Sequence, residues 1–444
     1  MASTYLTKTF SSGGNQRIWT SSFWVKLNIA SGEDNYIYTY AQSSGATPRG
    51  SMEFRSDANG NTFRVGFNPT GSSWINCDVD NRKFRDYSAF YHVVVAVDTT
   101  QATASNRVKI YINGEQETVS TQPSQNFDTG FNHTHQTSFG RYENADSSYF
   151  NGVLSHINFI DGTQYTASTF GESDSVSGIW VPKTSPSVTY GSNGFFLKFE
   201  NSGAMGTDSS GNSNTFAVGG GTLTQNVDTP SNNFATFNPL KDGRMNGSTQ
   251  YKATFTNGNT TSTFAESTYN TGAFSSLAVN SGKYYAEIKC SNAGGNTKLG
   301  LFSADDYGSD DFSGTYLYDS SGTFGGSSYG NSFTTGDIIQ IAFDATNGTV
   351  WFGKNGTWQD SATQSEIEAG TTTNSATTGI DMTQFWHLGT YGVNATAFQA
   401  NFGQGYFGTT AVASAGTAPS EGGIFEYNCP SGFQALCTKG INSF

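Results

Sequence analysis

Polar and hydrophobic residues alternate over short stretches along most of the chain, and these stretches end in turns rich in glycine and asparagine. In RVKIYING (107–114), the apolar side chains at every second position share one face of an extended strand. The run VVVAV (93–97) has no alternation, which predicts a central strand covered on both faces. No segment shows a sustained period of 3.6 residues. The pattern therefore predicts an all-β protein.

Two distant segments, 90–116 and 336–358, repeat the same order of features. In each, an apolar run ends on an aspartate, a polar turn follows, and a second apolar run ends on Asn-Gly. We expect an antiparallel hairpin in each segment, with the aspartate accepting hydrogen bonds from the backbone of the turn and the Asn-Gly pair supplying positive φ angles. The aspartates are Asp98 and Asp344, and the Asn-Gly pairs are Asn113-Gly114 and Asn355-Gly356.

The spacing of the predicted strands favours two antiparallel, jelly-roll-like β-sandwich domains in tandem. Strand-like runs fill residues 1–200, which we interpret as the first domain. Residues 201–240 are rich in Gly, Ser and Asn with isolated hydrophobic residues, and we expect them to form a linker and inter-domain excursion. A second series of strands occupies 241–444, including an ordered C-terminal tail.

Composition supports the fold class and limits the partners. Charged residues make up 13% of the chain, against roughly 25% in average globular proteins, while aromatic residues reach 14%. The formal net charge of −13 has the wrong sign for holding a phosphate backbone, so direct nucleic-acid binding is not expected. The N-terminus lacks the apolar core of a signal peptide and no run of 18 apolar residues occurs, so we expect no membrane insertion.

The four cysteines are scattered and do not form a disulfide framework. We expect Cys77 and Cys290 to be buried or free thiols. The same expectation extends to Cys429 and Cys437, but these two are close enough in sequence to form a disulfide, and the sequence leaves this open.

The first predicted domain contains the segments GGNQRIWTSSFWVKLN (13–28), the first hairpin with its preceding residues (85–116) and FNGVLSHINFIDGTQY (150–165). In these segments it resembles the concanavalin A-like, laminin-G-like sandwich. The resemblance covers about residues 1–200. It implies a core hairpin at 90–116 and, in many such domains, a calcium ion.

The second predicted domain contains the segments SGKYYAEIKC (281–290), KLGLFSA (298–304), the second hairpin (336–358) and FQANFGQGYF (398–407). In these segments it is similar to SPRY (B30.2-like) domains, which are bent β-sandwiches that bind through their loops. As a tandem, the chain resembles tail-fibre, tailspike or capsid-decoration proteins of tailed bacteriophages, especially marine ones.

The sequence lacks the catalytic motifs that an enzyme of this fold needs. Glycosidases with this sandwich need closely spaced carboxylates on one strand, in a Glu-x-Asp-x-x-Glu pattern, and no such triplet occurs. Two pairs, Glu53 with Asp57 and Glu115 with Glu117, lack this pattern, and we interpret them as solvated strand residues. The motifs GSSYG (326–330) and GQGYFG (403–408) lack the helix that a nucleophile elbow or a dinucleotide site requires. We therefore expect no enzymatic activity and no cofactor.

Two kinds of segment in the sequence contain residue types that bind metal ions. His133 and His135 fall on one side of an extended segment, a geometry that could hold a metal, but no third ligand is identifiable and an exposed polar strand is favoured. Clustered oxygen atoms at 207–214 and 305–311 make calcium the alternative to no cofactor. The calcium candidates are Asp208, Asn212, Asp305 and Asp310.

Aromatic residues beside turns are candidates for glycan binding, because sugar rings stack their C–H faces on Trp and Tyr. Each of them has packing in the core as its alternative. The candidates, with one arginine, are Trp74, Arg82, Tyr142, Tyr316, Tyr318, Trp358 and Tyr391.

The resemblance and these candidates lead to one functional hypothesis. We expect a non-enzymatic protein on the surface of a phage virion, assembled in the host cytoplasm, that binds host-surface glycans or other capsid or tail proteins. By analogy with phage appendages, we expect a homo-oligomer, with a trimer favoured. The alternatives are a glycan-degrading depolymerase or tailspike and a purely structural joint protein. The sequence does not decide between capsid and tail attachment, or which domain is displayed.

Overall fold

The chain folds into two units, Met1–Gln225 and Asn226–Phe444. The computed structural model describes residues 4–444 apart from 29–33, 42–47, 57–61, 144, 146, 176, 243, 247–248 and 306–313. The division lies within 201–240, the segment we expected to form a linker. Residues 201–225 belong to the first unit, where Phe216 is buried in the core.

Where the structure describes it, the first unit is built from β-strands with two short 3-10 turns, Ala104–Asn106 and Ala167–Thr169. Its strands are β1 Leu6–Thr9, β2 Ile18–Leu27, β3 Asn35–Ala41, β4 Arg49–Arg55, β5 Thr62–Asn68, β6 Ile75–Val79, β7 Phe90–Asp98, β8 Val108–Ile112, β9 Glu115–Gln116, β10 Gln136–Phe139, β11 Gly152–Asp161, β12 Gly171–Ser173, β13 Trp180–Pro182, β14 Phe195–Leu197 and β15 Ala217–Val218.

Within the described residues, two large antiparallel sheets form a sandwich in this unit. The first seven-stranded sheet has the order β15-β1-β10-β3-β4-β5-β6, and the six-stranded sheet has the order β14-β11-β2-β7-β8-β9. Alternate side chains of both sheets meet in one core. Trp19 from β2 lies at its centre and contacts Phe131 and Phe159, with ring centroids 5.2 and 5.7 Å away. The predicted sandwich is confirmed for this unit.

Strand β7 is covered on both faces, as its unbroken apolar run predicts. Val93 and Val95 lie in the core between the sheets, and Val94 and Ala96 lie in a second cluster on the opposite face. That second cluster is completed by residues that follow β11, including Phe170. The outer face of the six-stranded sheet is therefore buried under a segment of the same unit.

The described residues of the second unit are also nearly all β, with two short helices. Its elements are β16 Phe237–Asp242, β17 Arg244–Asn246, β18 Thr249–Tyr251, β19 Thr254–Thr256, β20 Thr261–Phe264, β21 Thr271–Val279, β22 Lys283–Asn292, β23 Gly295–Ser303, β24 Thr315–Asp319, β25 Thr323–Phe324, β26 Ser327–Ser328, β27 Ile338–Asp344, β28 Thr349–Lys354, β29 Thr357–Trp358, α1 Gln364–Ala369, β30 Trp386–Val393, β31 Thr396–Asn401, β32 Tyr406–Phe407, β33 Thr410–Ala411, β34 Gln434–Ala435 and α2 Thr438–Ile441.

The described strands of this unit again form two large sheets around one core. A seven-stranded sheet has the order β16-β21-β30-β23-β24-β25-β26, and an eight-stranded sheet has the order β19-β20-β31-β22-β27-β28-β29. The C-terminal tail packs on the outer face of the eight-stranded sheet, where Phe425 and Phe433 join Tyr285 and Trp351 in a separate cluster. The tail is an ordered part of the unit, as predicted.

Glu287 of β22 binds the backbone of this tail through hydrogen bonds. The side chain is fully buried and accepts hydrogen bonds from the backbone N–H groups of Glu426 and Tyr427, both at 2.8 Å, and from the hydroxyl of Tyr285 at 2.9 Å. Burial raises the pKa of Glu287 to about 7, while the three donors oppose this shift.

Both predicted hairpins are confirmed, as β7–β8 and β27–β28. Asp98 accepts from the backbone N–H of Thr100 at 3.0 Å, and Asp344 accepts from that of Asn347 at 3.0 Å. Asn113 and Asn355 both have a φ of 49°. In both hairpins the asparagine carboxamide oxygen also accepts from the first strand's backbone, at 2.8 Å. The repeated sequence pattern therefore specifies two hairpins of the structural framework.

The four cysteines are buried free thiols, so Cys429 and Cys437 are not bonded to each other. In the described part of the chain, no helix is long and apolar enough to cross a membrane.

Candidate functional site

Adjacent strands of the first seven-stranded sheet place their polar residues on its outer side. Every second residue of β4, β5 and β6 lies in the core: Met52, Phe54, Phe63, Val65, Phe67, Ile75, Cys77 and Val79. The residues between them therefore face away from the core. We call this surface the polar face, and we define it by Tyr36, Thr39, Arg49, Ser51, Glu53, Arg55, Arg64, Gly66, Asn68, Trp74, Asn76, Asp78 and Tyr142.

One row across the polar face is charged. The strand register aligns Tyr36 with Glu53, Glu53 with Arg64, and Arg64 with Asp78. Arg64 donates to both carboxylate oxygens of Asp78, at 2.5 and 2.9 Å, and both side chains are about one-fifth exposed. A two-point contact of this kind holds the guanidinium and the carboxylate in fixed orientations. The row is therefore a preformed set of hydrogen-bonding groups.

Glu53 lies in this row and is 5% exposed. Burial is the main cause that raises the pKa of Glu53 to about 7, and nearby Asp34 adds to it, while a hydrogen bond from Ser51 and the charges of Arg64 and Arg55 oppose it. The interpretation of Glu53 as a solvated strand residue is therefore wrong. The error arose because an outward-facing strand residue was assumed to be in water. Asp57 lies outside the described residues.

The adjacent row carries an aromatic platform. Thr39, Ser51, Gly66 and Asn76 are aligned across four strands. Trp74 is half-buried and covers Gly66, since a Cβ on that glycine would lie only 2.8 Å from Cζ3 of the indole. The guanidinium carbon of Arg49 lies 5.5 Å from the centroid of the Trp74 ring, within the range of a cation–π contact.

A second aromatic pair borders the charged row. Tyr142 stacks on Tyr36 with ring centroids 4.5 Å apart and an angle of 23°. Next to it in sequence, Arg141 and Glu143 form a buried ion pair at 2.8 Å, and Ser138 also donates to Glu143. This buried pair fixes the backbone on both sides of Tyr142. The structure therefore places two sequence-predicted candidates, Trp74 and Tyr142, on one face.

A serine–histidine pair is buried under the outer face of the six-stranded sheet. The indole N–H of Trp180 donates to Nδ1 of His92 at 2.9 Å, so the ring hydrogen of the neutral imidazole is on Nε2 and points to Ser22 Oγ, 2.9 Å away. A histidine that donates to the serine cannot act as its base. Burial lowers the pKa of His92 to about 3, helped by His156, which keeps the ring neutral. The hydrogen bonds of His92 with Trp180 and Ser22 therefore have a structural role.

Two candidates of the second unit are core residues, which corrects the prediction that they bind a ligand. Tyr318 has no exposed surface and donates its hydroxyl to the carbonyl of Asn331. Trp358 is 8% exposed and packs edge-on against Tyr285. Both residues lie beside turn residues in sequence. Each, however, occupies a strand position whose side chain points into the core.

The remaining candidates are partly buried. Arg82 pairs with Glu117 and, at 2.8 Å, with Glu115 of β9, at the edge of the six-stranded sheet. Tyr316 packs on Trp386, with ring centroids 5.2 Å apart. Tyr391 packs beside a small buried cluster of Phe274 and Phe302. None of these three lies on the polar face.

The calcium candidates differ in their surroundings. The carboxylate of Asp208 accepts from the backbone N–H groups of Phe196, Ser210 and Asn214, at 2.7–2.9 Å. Asn212 donates to the carbonyls of Gly191 and Gly194. Asp305 is exposed, and Asp310 lies outside the described residues. Among the residues that are described, no group of three His, Cys, Asp or Glu side chains is placed to hold a metal. Calcium binding at these positions stays a prediction.

Sequence reasoning missed most of the polar face, although a signal was present. In RGSMEFR (49–55), TFRVGFN (62–68) and INCDV (75–79), the polar phase of three consecutive strands contains arginine, glutamate, asparagine and aspartate. Consecutive strands joined as hairpins put one phase on one side of a sheet. Aligning these three phases would have brought the charged row together.

Comparison with protein families supports the fold of this unit. Residues 3–164 match a laminin G family described as the concanavalin A-like lectin/glucanases superfamily. The matched region includes the strands of the polar face, and the expected concanavalin A-like fold is confirmed there. The match covers less than half of the chain. No curated protein is similar to the chain in sequence.

Parts of the chain are similar to solved structures at low identity. The SPRY domain of human HERC1 is 18% identical, covering 37% of this chain and 96% of its own, with a TM-score of 0.27. The enzymatically active domain of tailspike protein 2 of bacteriophage CBA120 is 15% identical over 37% of this chain and 25% of its own, with a TM-score of 0.29. Domain 4 of the arabinanase AbnA from Geobacillus stearothermophilus, in complex with arabinotriose, is 17% identical over 35% of this chain and 64% of its own, with a TM-score of 0.25. Similarity at this level carries no functional inference, and the SPRY-like character of the second unit stays a prediction.

Proposed function

We propose that the first unit binds glycan on the polar face, and that the chain is a non-enzymatic surface protein of a tailed-phage virion. The observation that carries the proposal is the platform of Trp74 over Gly66, which lies beside a preformed row of hydrogen-bonding groups. The superfamily that residues 3–164 match includes lectins by its description, which supports the same function.

The polar face suits a sugar for two physical reasons. A pyranose ring has an apolar C–H face that stacks on an indole, and hydroxyl groups that need hydrogen-bond partners. The partly exposed Asn76 lies in the row of Gly66, and the partly exposed Arg64–Asp78 pair lies in the next row. Because the ion pair orients both side chains before a ligand arrives, less conformational entropy is lost on binding.

The charged row does not favour hydrolysis. A glycosidase needs two carboxyl groups, one as acid and one as base or nucleophile. Glu53, with its pKa near 7, has the property of a general acid, and this is the one observation in favour of a glycan-degrading enzyme. Both oxygens of Asp78, however, already accept hydrogen bonds from Arg64, so this carboxylate is not free to act as the second catalytic group.

The placement on a virion is supported by the sequence resemblance of the two tandem domains to tail-fibre and capsid-decoration proteins. In this setting the partners are other capsid or tail proteins and a host-surface glycan, and the assembly is a homo-oligomer, with a trimer by analogy. A purely structural joint is the competing role, in which the polar face binds no sugar.

A glycan array probed with the full chain tests the glycan proposal. We expect a restricted set of host-surface glycans to bind, and no release of reducing sugar when the hits are incubated with the chain. An array without any hit would contradict glycan binding and favour the structural joint. Release of reducing sugar, abolished in Glu53→Gln, would establish the enzyme instead. Immunogold labelling of intact particles with antibodies against the chain tests the virion placement, and unlabelled particles would refute it.

A further inference from the structure

The end of the polar face at Trp74 carries little charge, and that charge is positive. Residues 41–52 contain the start of β4, and residues 65–77 contain the end of β5 and the start of β6. Arg49 is the single charged residue in these two stretches of sequence, whereas the chain as a whole has a net charge of −13. The aromatic platform therefore has a cation beside it on an otherwise acidic chain.

The acidic residues of the charged row are engaged by arginines. Asp78 forms its two-point contact with Arg64. Nε of Arg55 lies 4.0 Å from a carboxylate oxygen of Glu53 and 3.8 Å from one of Asp34. Burial also keeps Glu53 partly protonated at neutral pH, because it raises the pKa of this carboxyl to about 7. These charges nearly balance, so they offset the cation beside the platform only weakly.

Asp128 is a further acidic residue near the start of β4. It lines the same cavity as Pro48, the residue before Arg49. Its carboxylate pairs with the guanidinium of Arg17 at 2.7 Å, and both side chains are about half exposed. The pair has no net charge, so it leaves the surroundings of Arg49 positive.

The guanidinium of Arg49 is placed to bind an anionic substituent of a ring that stacks on Trp74. Its carbon lies 5.5 Å from the centroid of the indole. This cation–π contact uses none of the five N–H donors of a guanidinium in a hydrogen bond. The fork of guanidinium donors matches a carboxylate at two points. A sugar with a carboxylate on its ring therefore fits both groups, with its C–H face on the indole and its carboxylate on the guanidinium.

Asn68 is the strand partner of Arg49 on the same face. Its side chain is 2% exposed, and its carboxamide oxygen has no hydrogen-bond partner among the residues that the structure describes. A buried acceptor that lacks a donor is costly, and it points to a donor from outside the chain, such as a ligand hydroxyl or a bridging water. The row beside the platform therefore combines a cation with a hydrogen-bond acceptor, which suits a sugar that carries both a carboxylate and hydroxyl groups.

We propose, on the basis of the glycan site proposed for the polar face, that the ligand is an acidic glycan whose ring carboxylate is bound by Arg49 while the ring stacks on Trp74. Uronic acids and sialic acids are the sugars of this class. A neutral sugar can stack on the same indole, but it lacks the charge-assisted hydrogen bonds to the guanidinium. The excess negative charge of the rest of the chain disfavours an anionic polymer at other positions.

Calorimetric titration of the full chain with acidic oligosaccharides and their neutral counterparts tests the proposal. The probes are oligomers of galacturonate, glucuronate and mannuronate and a sialylated oligosaccharide, each before and after reduction of its carboxyl groups to primary alcohols. We expect at least one acidic probe to bind at least about tenfold more tightly than its reduced counterpart. Equal affinity within every pair, or a preference for the reduced forms, would overturn the proposal. So would a sulfated galactan that binds more tightly than every carboxylated probe, because the anion recognised would then be a sulfate.

The substitution Arg49→Gln separates carboxylate binding from support of the platform. We expect the variant to bind the acidic probe at least about tenfold more weakly and the reduced probe as wild type does, since the stacking surface is retained. Lys198→Gln, which removes one positive charge next to β14 in the opposite sheet, is the matched control and should bind both probes as wild type does. Equal weakening of both probes in Arg49→Gln would show that this arginine only supports the indole, and would overturn the proposal.

The salt dependence of binding gives a second readout that a folding defect does not imitate. Raising NaCl from about 50 to about 300 mM should weaken binding of the acidic probe to wild type more than to Arg49→Gln. Failure of this proposal is distinct from failure of the glycan site. Neutral glycans that bind wild type but not Trp74→Ala would refute the acidic class and keep the site, whereas no binding to any probe and no hit on the array would contradict glycan binding itself.

Discussion

Trp74 and Gly66 depend on each other. The indole fills the space that a side chain on Gly66 would occupy, with Cζ3 and Cε3 at 2.8 and 3.0 Å from the position of a Cβ. Gly66 is within β5 and Trp74 precedes β6, so the sheet and the loop together build the platform. The φ of Gly66 is one that any residue can adopt, so the backbone conformation does not require glycine. Glycine is required because the indole lies too close to leave room for a Cβ.

Gly66→Ala should displace the indole without unfolding the sheet. The added methyl group conflicts with Trp74 but not with the backbone geometry, so we expect glycan affinity to fall about tenfold while stability changes by less than about 1 kcal/mol. Intrinsic tryptophan fluorescence should report the moved ring. Unaltered affinity together with a shifted fluorescence spectrum would show that the platform is not used.

Glu53 should make the first unit less stable as pH rises through neutrality. Its pKa is about 7 in the folded state and near 4.5 when solvated, so between these values the folded state holds more protons than the unfolded state. The free energy of unfolding then decreases with rising pH. Relative to Glu53→Gln, the wild type should lose on the order of 2 kcal/mol between pH 5.5 and pH 8.

Urea denaturation of both proteins at the two pH values measures this difference. Glu287 in the second unit is raised in the same direction but is present in both proteins, so its contribution cancels. Parallel pH profiles for wild type and Glu53→Gln would show that Glu53 is solvated after all.

His92 should have the opposite pH dependence. Its pKa is about 3 in the folded state and 6.5 when solvated, so the unfolded state gains a proton first as the solution is acidified. The folded state is therefore destabilised as pH falls below about 6.5, by on the order of 1 kcal/mol between pH 7.5 and 5.5. His92→Gln keeps an acceptor for the indole of Trp180 but cannot titrate, and its stability profile should lack this slope. Thermal unfolding over this range measures it, and equal slopes in both proteins would refute the neutral, buried imidazole.

Glu287→Ala should release the C-terminal tail. The substitution leaves the partly buried backbone N–H groups of Glu426 and Tyr427 without their acceptor, which costs at most about 1–3 kcal/mol for each group. Hydrogen exchange should increase in the tail around these residues before it increases in β27 and β28. Glu287→Gln, which retains one acceptor oxygen, should show a smaller effect. Tail exchange that matches the wild type in Glu287→Ala would mean that apolar packing alone holds the segment.

The fold was predictable because its main determinants are local in sequence. Strand alternation and Asn-Gly turns identified both hairpins, and the unbroken run in β7 identified a strand buried on two sides. The outer face of β7 is buried by a second segment of the chain. The residues of that segment, such as Phe170, lie far from β7 in sequence. The pattern shows that a cover exists but does not say which segment forms it.

The candidate site was predictable only in part. Trp74 and Tyr142 were identified because they lie beside turns, yet the same rule selected Tyr318 and Trp358, which the strand phase turns into the core. Glu53 was misassigned because its burial depends on neighbours in other strands. A single-strand pattern gives the direction of a side chain, and only the register of adjacent strands gives its surroundings.

The most direct test of glycan binding on the polar face is calorimetric titration of Trp74→Ala with a glycan identified on the array. Phe385→Ala, which removes a half-exposed aromatic ring in the second unit, is the matched control. We predict that Trp74→Ala binds at least about tenfold more weakly than wild type, a loss of about 1.4 kcal/mol or more, while Phe385→Ala binds as wild type does. Wild-type affinity in a folded Trp74→Ala protein would contradict the assignment of the polar face as the glycan site.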